Sequence, residues 1–384
     1  MDHATQVALL HRLFGFLDAG TTEMAATPYR NPVTAYTSSA RLEREHEALF
    51  RREPLFVGLT SDVAEPGAYT THVETGVPII VVRAKTGELR ALLGTCRHRG
   101  AQVASGAGRV PGRFTCPYHG WTYADDGRLV GQPCAEGFSG LAKEDLSLKR
   151  LAVAEKYGLI FVRAGDEPID VDAHLGGAER ELAAFGLEHY VRFARHETER
   201  AMNWKLAIDT FLEAYHVNTL HEPSIGPSIL GSAAAWDAFG RSSRLVAVRR
   251  SIADLRGRPE SEWSLLPHAV VLYNLFPNTM LIHQIDHVEV VQAYPGLRGV
   301  DSAKVVFMLY TPEPATGDGA RRHFQMNFDV LLRTVEHEDF VLGEKIQQGF
   351  HGGGNETVVY GRNEPGLAHY HRMLARTLGL EDIG

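Results

Sequence analysis

Two short clusters of cysteine and histidine constrain this chain more than any other feature. The first reads Cys96-Arg97-His98-Arg99-Gly100, and after seventeen residues past His98 the second reads Cys116-Pro117-Tyr118-His119-Gly120-Trp121. A lone Cys–His pair is ordinary packing. Two pairs, spaced Cys-x-His and Cys-x₂-His with a glycine behind each, make a ligand set. A zinc finger keeps its cysteines together and its histidines together. Here they alternate, so the loops can cross over, with both thiolates on one iron and both imidazoles on its neighbour. That is the pattern of a two-iron, two-sulfide cluster in which His₂ replaces Cys₂ on one metal. Neutral imidazole lowers the cluster's negative charge and raises its potential from about −400 mV to between roughly −150 and +300 mV. Such a cluster can deliver single electrons to an oxygen-activating metal. Gly100 and Gly120 let the backbone approach the sulfides, and Pro117 stiffens the second loop. A zinc ion on the same four residues is the competing expectation.

Composition removes other classes. Lys and Arg number 39 against 47 Asp and Glu, a net charge of −8 with no long basic run, which argues against nucleic acid or an anionic membrane surface as partner. Of three cysteines two belong to the ligand set, so no disulfide framework is expected and a reducing, cytoplasmic compartment fits. Cys134 is expected to be a small packed residue. The first residues lack a basic region and cleavage site, and no run of about 18 apolar residues occurs. No Gly-x-Gly-x-x-Gly follows a strand pattern and no Walker loop is present; Gly352-Gly353-Gly354 reads as a loop. The chain is therefore expected not to bind its own nicotinamide or flavin. A length of 384 residues allows two to three domains.

Along the chain, residues 5 to 18 have helical spacing, with Val7, Leu10, Leu13, Phe14 and Leu17 on one face. A Pro/Thr-rich connection covers Thr27 to Ser38, and Ser39 to Arg52 predicts a surface helix. A β-rich region begins at Pro54 to Thr60. Pro78 to Arg83 and Glu88 to Leu93 read as strands flanking the ligand loops, and Asp125-Asp126-Gly127-Arg128 as a hairpin turn. Leu151 to Ala164 closes this β domain. Asp172 to Phe185 then predicts a helix capped by its aspartate, and Tyr190 to Arg200 a charged strand. Asn203 opens a helical stretch to about His221. Strands fill Pro267 to Pro295, broken at Pro277-Asn278 and Asp286-His287, and Ala303 to Tyr310. Arg321 to Gly349 is a long helical pattern, which across an antiparallel sheet makes an α+β arrangement.

The helical stretch carries a second candidate site, Glu213-Ala214-Tyr215-His216-Val217-Asn218-Thr219-Leu220-His221. His216 and His221 are i and i+5, about 140° apart on a regular helix. They can meet one ion only where the helix opens through a π-bulge or ends near His221, and Glu222-Pro223 favours an end there. Two histidines leave room for a carboxylate, completing the facial triad of oxygen-activating non-haem iron. The candidates lie at Glu336-His337-Glu338-Asp339, and spacing alone does not choose among them.

These residues resemble the Rieske non-haem iron oxygenases, specifically the catalytic (α) subunit of the aromatic-ring-hydroxylating family. The cluster motif with its flanking Arg99-Gly100, Tyr118, Gly120 and Trp121 is similar, as are Asn203-Trp204-Lys205 leading to Tyr215-His216-x₄-His221, and Glu338-Asp339 followed by Gln347-Gln348-Gly349. The last stretch makes Asp339 the preferred carboxylate, with Glu338 and Glu336 behind it. The resemblance spans roughly residues 45 to 370. It implies an N-terminal helical segment (1–45), a Rieske [2Fe–2S] β domain (46–165) on Cys96, His98, Cys116 and His119, and a helix-grip (START-like) catalytic domain (166–384) with mononuclear Fe(II) on His216, His221 and Asp339. It also implies homotrimers, or multiples of them, in which the cluster of one subunit faces the iron of the next. Glu213 occupies the acidic position that bridges the two centres, where many ring hydroxylators carry Asp; Glu there is similar to members that oxidise quaternary ammonium compounds. Asp209 replaces the family's Asn four residues earlier. Glu213 and Asp209 are the candidate catalytic residues. The implied function is a terminal mono- or dioxygenase that takes electrons from NAD(P)H through a reductase, with or without a ferredoxin. Its substrate would be a small aromatic or N-methylated molecule that is hydroxylated, dihydroxylated or demethylated. An electron-transfer or ligand-binding protein lacking catalytic iron is the alternative, and a zinc hydrolase on the two histidines is disfavoured by the absence of His-Glu-x-x-His. Phe211, Leu212, Leu220, Leu230, Tyr273 and Phe276 are candidate pocket residues.

Overall fold

The computed structural model describes residues 1–381, and among these the chain divides into two compact units. One runs from His46 to Val171 and adds Gly186–His189; the other holds Met1–Glu45, Asp172–Phe185 and the chain from Tyr190 on. Residues 1–45 thus pack with the C-terminal half of the sequence.

The first unit is antiparallel β. A seven-stranded sheet runs in the order Leu55–Leu59, Leu159–Arg163, Arg150–Lys156, Leu89–Leu93, Ile79–Arg83, Ala68–His72, Ala107–Arg109, beside a three-stranded sheet of Arg113–Thr115, Thr122–Ala124 and Leu129–Gly131. Ile79–Arg83 is buried along its whole length, as its β-branched run requires of a strand covered on both faces. A core of Ile80, Val82, Leu92, Phe114, Trp121, Tyr123 and Leu129 lies directly against Cys96 and Cys116. Cys134 departs from expectation. It is exposed, in left-handed backbone (φ 53) at the start of a short 3₁₀ turn, Ala135–Phe138, beyond the last strand of the small sheet and outside any core.

The second unit is organised on another seven-stranded antiparallel sheet, ordered Val191–Arg200, Gly299–Thr311, Val288–Gly296, Thr279–His283, Ala269–Leu275, Ser242–Arg249, Ile229–Phe239. The two breaks expected at Pro277-Asn278 and Asp286-His287 separate three of these strands. The pair Ile229–Phe239 and Ser242–Arg249 was not anticipated; its alanine, serine and arginine content hides a strand pattern. Tyr29–Pro32 pairs with Thr357–Tyr360, so the stretch read as connection contains a strand whose partner lies over 300 residues away. Asp172–Phe185 is two short helices, Val171–Leu175 and Glu179–Ala183, because Gly176 and Gly177 both take positive φ. Asp172 lies within the first turn rather than capping it.

The long C-terminal helical pattern is real but interrupted. Asp318–Thr334 and Phe340–His351 are α-helical, and Val335–Asp339 between them is a π turn. Pro365–Thr377 forms a further helix with proline in its first turn, where a missing N–H costs nothing. No helix among the described residues is long and apolar enough to cross a membrane.

Candidate metal centres and their cavity

The two cysteine–histidine loops are copies of one turn. The Cys96 N–H donates to Ala101 O (2.8 Å) and the Gly100 N–H to Cys96 O (2.9 Å); the Cys116 N–H donates to Trp121 O (2.8 Å) and the Gly120 N–H to Cys116 O (3.1 Å). Each turn closes only if its glycine enters left-handed space, and Gly100 and Gly120 have φ of +80° and +71°, which a Cβ would strain. The Nδ1 atoms of His98 and His119 come within 3.1 Å of each other, aimed at common space. The indole of Trp121 stacks on the His98 ring at 5.0 Å and 9°, fixing its plane. Burial alone would raise the Cys96 thiol pKa. Hydrogen bonds from the Tyr123 hydroxyl and from the His98 and Arg99 backbone outweigh it, and the pKa falls, which favours the thiolate a metal needs. Two buried cysteines opposite two converging imidazoles fit a [2Fe–2S] cluster with mixed ligands.

The second site is assembled from three elements. Asn203 caps the helix Trp204–Asp209, its side chain accepting from the Lys205 N–H, while Trp204, Ala207 and Ile208 bury its inner face. Lys205 is 1% exposed, and its ammonium is matched by both oxygens of Glu45 at 2.8 Å. The helical stretch then breaks, and a single turn, Val217–Leu220, is flanked by His216 and His221. The helix ends at His221, as the i, i+5 spacing demanded. The His216 and His221 Nε2 atoms lie 3.5 and 3.3 Å from Asp339 Oδ1, and the three ligand atoms all fall within 4.8 Å of one another. Asp339 is delivered by the π turn.

Their neighbours explain the geometry. Glu213 Oε1 binds His216 Nδ1 and its Oε2 accepts from the backbone N–H of Tyr215 and His216. Glu338 Oε2 binds His221 Nδ1 at 2.7 Å. Each carboxylate fixes its imidazole with Nε2 turned toward Asp339, the usual outer support of a metal-bound histidine. Thr210 donates to Asp339 Oδ1 at 2.8 Å. Burial would lower the His221 pKa, but Asp339 and Glu338 together raise it; positive charge is favoured in that space, as a cation site requires. The three residues fit Fe(II) in a 2-His-1-carboxylate set. Glu336 turns away to His196 (3.1 Å), so of the three acidic candidates only Asp339 reaches both imidazoles.

Asp209 corrects its expected catalytic part. Its carboxylate accepts from Tyr36 (2.6 Å) and pairs with His371 Nε2 (2.9 Å), and it does not line the cavity beside the triad. It anchors the break between the two helical pieces. That cavity, about 440 Å³, contains His216, His221 and Asp339 in its wall. Of the six residues expected to line it only Phe211 does. Strand alternation turns Val270 and Leu272 to the cavity and Tyr273 away, where its hydroxyl donates to Glu181 (2.6 Å). Phe276 instead packs under the Arg241 guanidinium, and Leu212 lines a separate cavity. Thr210, Arg249, Gln284 and Glu289 were missed. A 2.0-period reading of Leu245, Ala247 and Arg249 would have revealed Arg249.

Comparison with known proteins agrees with this geometry. Residues 53–150 match the Rieske [2Fe–2S] domain model and residues 187–380 the ring hydroxylating alpha subunit (catalytic domain) model. The carnitine monooxygenase oxygenase subunit of Acinetobacter baumannii is 35% identical over 200 residues, 52% of this chain and 54% of that protein. Biphenyl 2,3-dioxygenase subunit alpha of Rhodococcus jostii is 35% identical over 195 residues, 48% and 41% of the respective chains. The match thus spans about half the length of these relatives. A quaternary ammonium Rieske monooxygenase structure superposes with a TM-score of 0.80 over 91% of this chain and 96% of that one, at 24% identity, which establishes the shared fold. The second model alone covers half of the sequence, and this chain belongs to the ring-hydroxylating α-subunit family of Rieske oxygenases.

Proposed function

We propose that this chain is a terminal oxygenase: it takes electrons one at a time from a reductase that oxidises NAD(P)H, directly or through a ferredoxin, and inserts oxygen from O₂ into a small organic substrate. The observation that carries the reading is the convergence of His216, His221 and Asp339 within 4.8 Å at the wall of a largely apolar cavity. An electron carrier has no use for that arrangement. When bound, the cluster on Cys96, His98, Cys116 and His119 supplies one-electron transfer and the iron supplies dioxygen activation.

The chain's own residues do the rest. Glu213 and Glu338 hold the two imidazoles in the tautomer that offers Nε2. Thr210 orients Asp339 by occupying one lone pair of its ligand oxygen. Aliphatic side chains from Ile229, Leu245, Leu272 and Ile282 exclude water and position the substrate. In this reading Glu213, which already holds His216 Nδ1 and the backbone N–H of Tyr215 and His216 inside the chain, accepts a further hydrogen bond from a cluster histidine of a neighbouring protomer, a short polar path across a closed ring of subunits. The homotrimer, the cytoplasmic location and the domain boundaries near residues 45 and 165 belong to the same proposal. Relatives named for carnitine and for biphenyl point to N-methylated and aromatic substrates respectively.

The test is metal content together with substrate-dependent consumption of NADH and O₂ with a surrogate reductase. About three irons per chain and stoichiometric oxygenated product support the assignment. About two irons and no product with any compound would leave only an electron carrier.

A further inference from the structure

The cavity has a polar wall that the metal centre does not use, and it rests on the sheet. The register sets Leu245 opposite Leu272, Leu272 opposite Ile282, and Ile282 opposite Glu289. Arg249 lies two and four residues beyond Ala247 and Leu245, so it faces the same side, and it lines the cavity. Its Nη2 donates to Gln284 Oε1 at 2.6 Å, and Gln284 Nε2 donates on to Glu289 Oε2 at 3.0 Å. The other Glu289 oxygen meets His287 Nε2 at 3.3 Å. Asp286 is likewise occupied at both oxygens, by His287 Nδ1 (2.8 Å) and His323 Nε2 (2.7 Å).

The bonding is lopsided. Both acids of this wall are satisfied by their own neighbours. Arg249, with five N–H donors, makes that one hydrogen bond among the described residues, and its Nε is buried with no partner. Its pKa is lowered, chiefly by burial, with Glu289 opposing. A guanidinium left short of acceptors against apolar side chains is costly unless something completes it. The group that matches its planar fork is a carboxylate. A cationic ligand finds less here: the acids are already engaged, and of the Phe, Tyr and Trp side chains among the described residues only Phe211 lines the cavity, one ring face where a quaternary ammonium is held best by Trp.

We propose that the substrate is an organic acid whose carboxylate is bound by Arg249 and whose apolar body lies along Leu245, Leu272 and Ile282. This rests on the terminal-oxygenase reading, and it makes Arg249 a specificity-determining residue that sets the choice among acids, neutral compounds and amines.

The experiment reads binding rather than turnover, so the two readings fail separately. Protein loaded with cluster and Fe(II), with no reductase and no O₂, is titrated calorimetrically with 3-phenylpropanoate, 3-phenylpropanamide and 3-phenylpropylammonium, which share one apolar body and differ in charge. The wild type should bind the acid tightest. Arg249→Met should weaken the acid roughly 10- to 100-fold while moving the amide by no more than about twofold, and Arg249→Lys should restore part of the loss. Iron content and the visible spectrum of each variant establish that it is folded; if Arg249→Met loses its metals, Arg249→Gln takes its place. A wild type that binds the ammonium tightest, or the three compounds equally, or none of them, overturns the proposal. So does an acid whose affinity is unchanged by Arg249→Met, since its carboxylate would then sit elsewhere, on the metal included. Each of these results leaves the iron count and oxygen consumption to judge the oxygenase reading by themselves.

Discussion

The cluster site and the triad site solve the same problem at different sequence ranges. The cluster ligands come from two five-residue turns only twenty residues apart, each closed by its own pair of backbone hydrogen bonds and its own glycine. The triad draws two histidines from a break in one helix and its carboxylate from a π turn 118 residues beyond His221 (339 − 221). Short-range ligands are held by backbone geometry. Long-range ligands must be held by side chains, and Glu213, Glu338 and Thr210 do this for the triad. The first site is expected to fail when the backbone is disturbed, the second when its supporting carboxylates are.

Exchanging ligands gives the largest effects and tests whether the sites are independent. Cys116→Ser should abolish the visible spectrum of the cluster. His216→Ala should leave that spectrum intact, remove about one iron in three and reduce product formation by more than about 100-fold; loss of both metals from either variant would mean that the sites assemble together. Next in size, Thr210→Val and Glu338→Gln should each weaken Fe(II) binding by roughly 10- to 100-fold without touching the cluster, measured by competition with a chelator. Tyr123→Phe is the mirror experiment. It removes the hydroxyl 3.3 Å from Cys96 Sγ and should lower the cluster potential at unchanged iron affinity of the triad. Gly100→Ala, at φ +80°, should cost about 1–2 kcal/mol and show as lower thermal stability of the cluster-bearing unit.

The smallest effect is a pH dependence confined to the catalytic unit. Burial would lower the His287 pKa, but hydrogen bonds to Glu289 and Asp286 raise it above the ordinary 6.5. A raised histidine contributes stability that is complete below 6.5 and fades as pH climbs through the folded value. Thermal melts should therefore fall more from pH 6 to 8 in the wild type than in His287→Asn; equal slopes would assign the dependence to another group.

What the sequence disclosed follows the same division of range. Both cluster turns were readable because the two ligands and the glycine of each lie within five residues. The pairing of His216 with His221 was readable as a condition, that the helix must open, and the break supplies it. Asp339 needed a resemblance, because choosing it over Glu336 and Glu338 depends on the phase of a π turn that side-chain identities do not encode. Five of the six expected pocket residues failed for a related reason: they are large and apolar, but Leu230 and Tyr273 lie on strands that were unseen or read without a register, and Leu212, Leu220 and Phe276 lie at helix and strand ends whose direction spacing does not give. Asp209 was a candidate only through the resemblance, where it stands in place of the family's Asn, and its partners Tyr36 and His371 come from opposite ends of the chain.

The π turn at Val335–Asp339 also makes this helix intolerant of repair. Such a turn is an α-helix with one residue more than its ladder of hydrogen bonds needs, and every residue advances a helix by about 100°. The flanking segments are fastened separately, Phe328 and Leu331 by burial and Gln347 by bonds to Asn203 and Asp301. The surplus residue reconciles their two phases. Excising one codon between Val335 and Glu338 would yield a straighter helix, more regular than the natural one, with Asp339 swung off its metal. In this stretch ideal local geometry and iron are mutually exclusive.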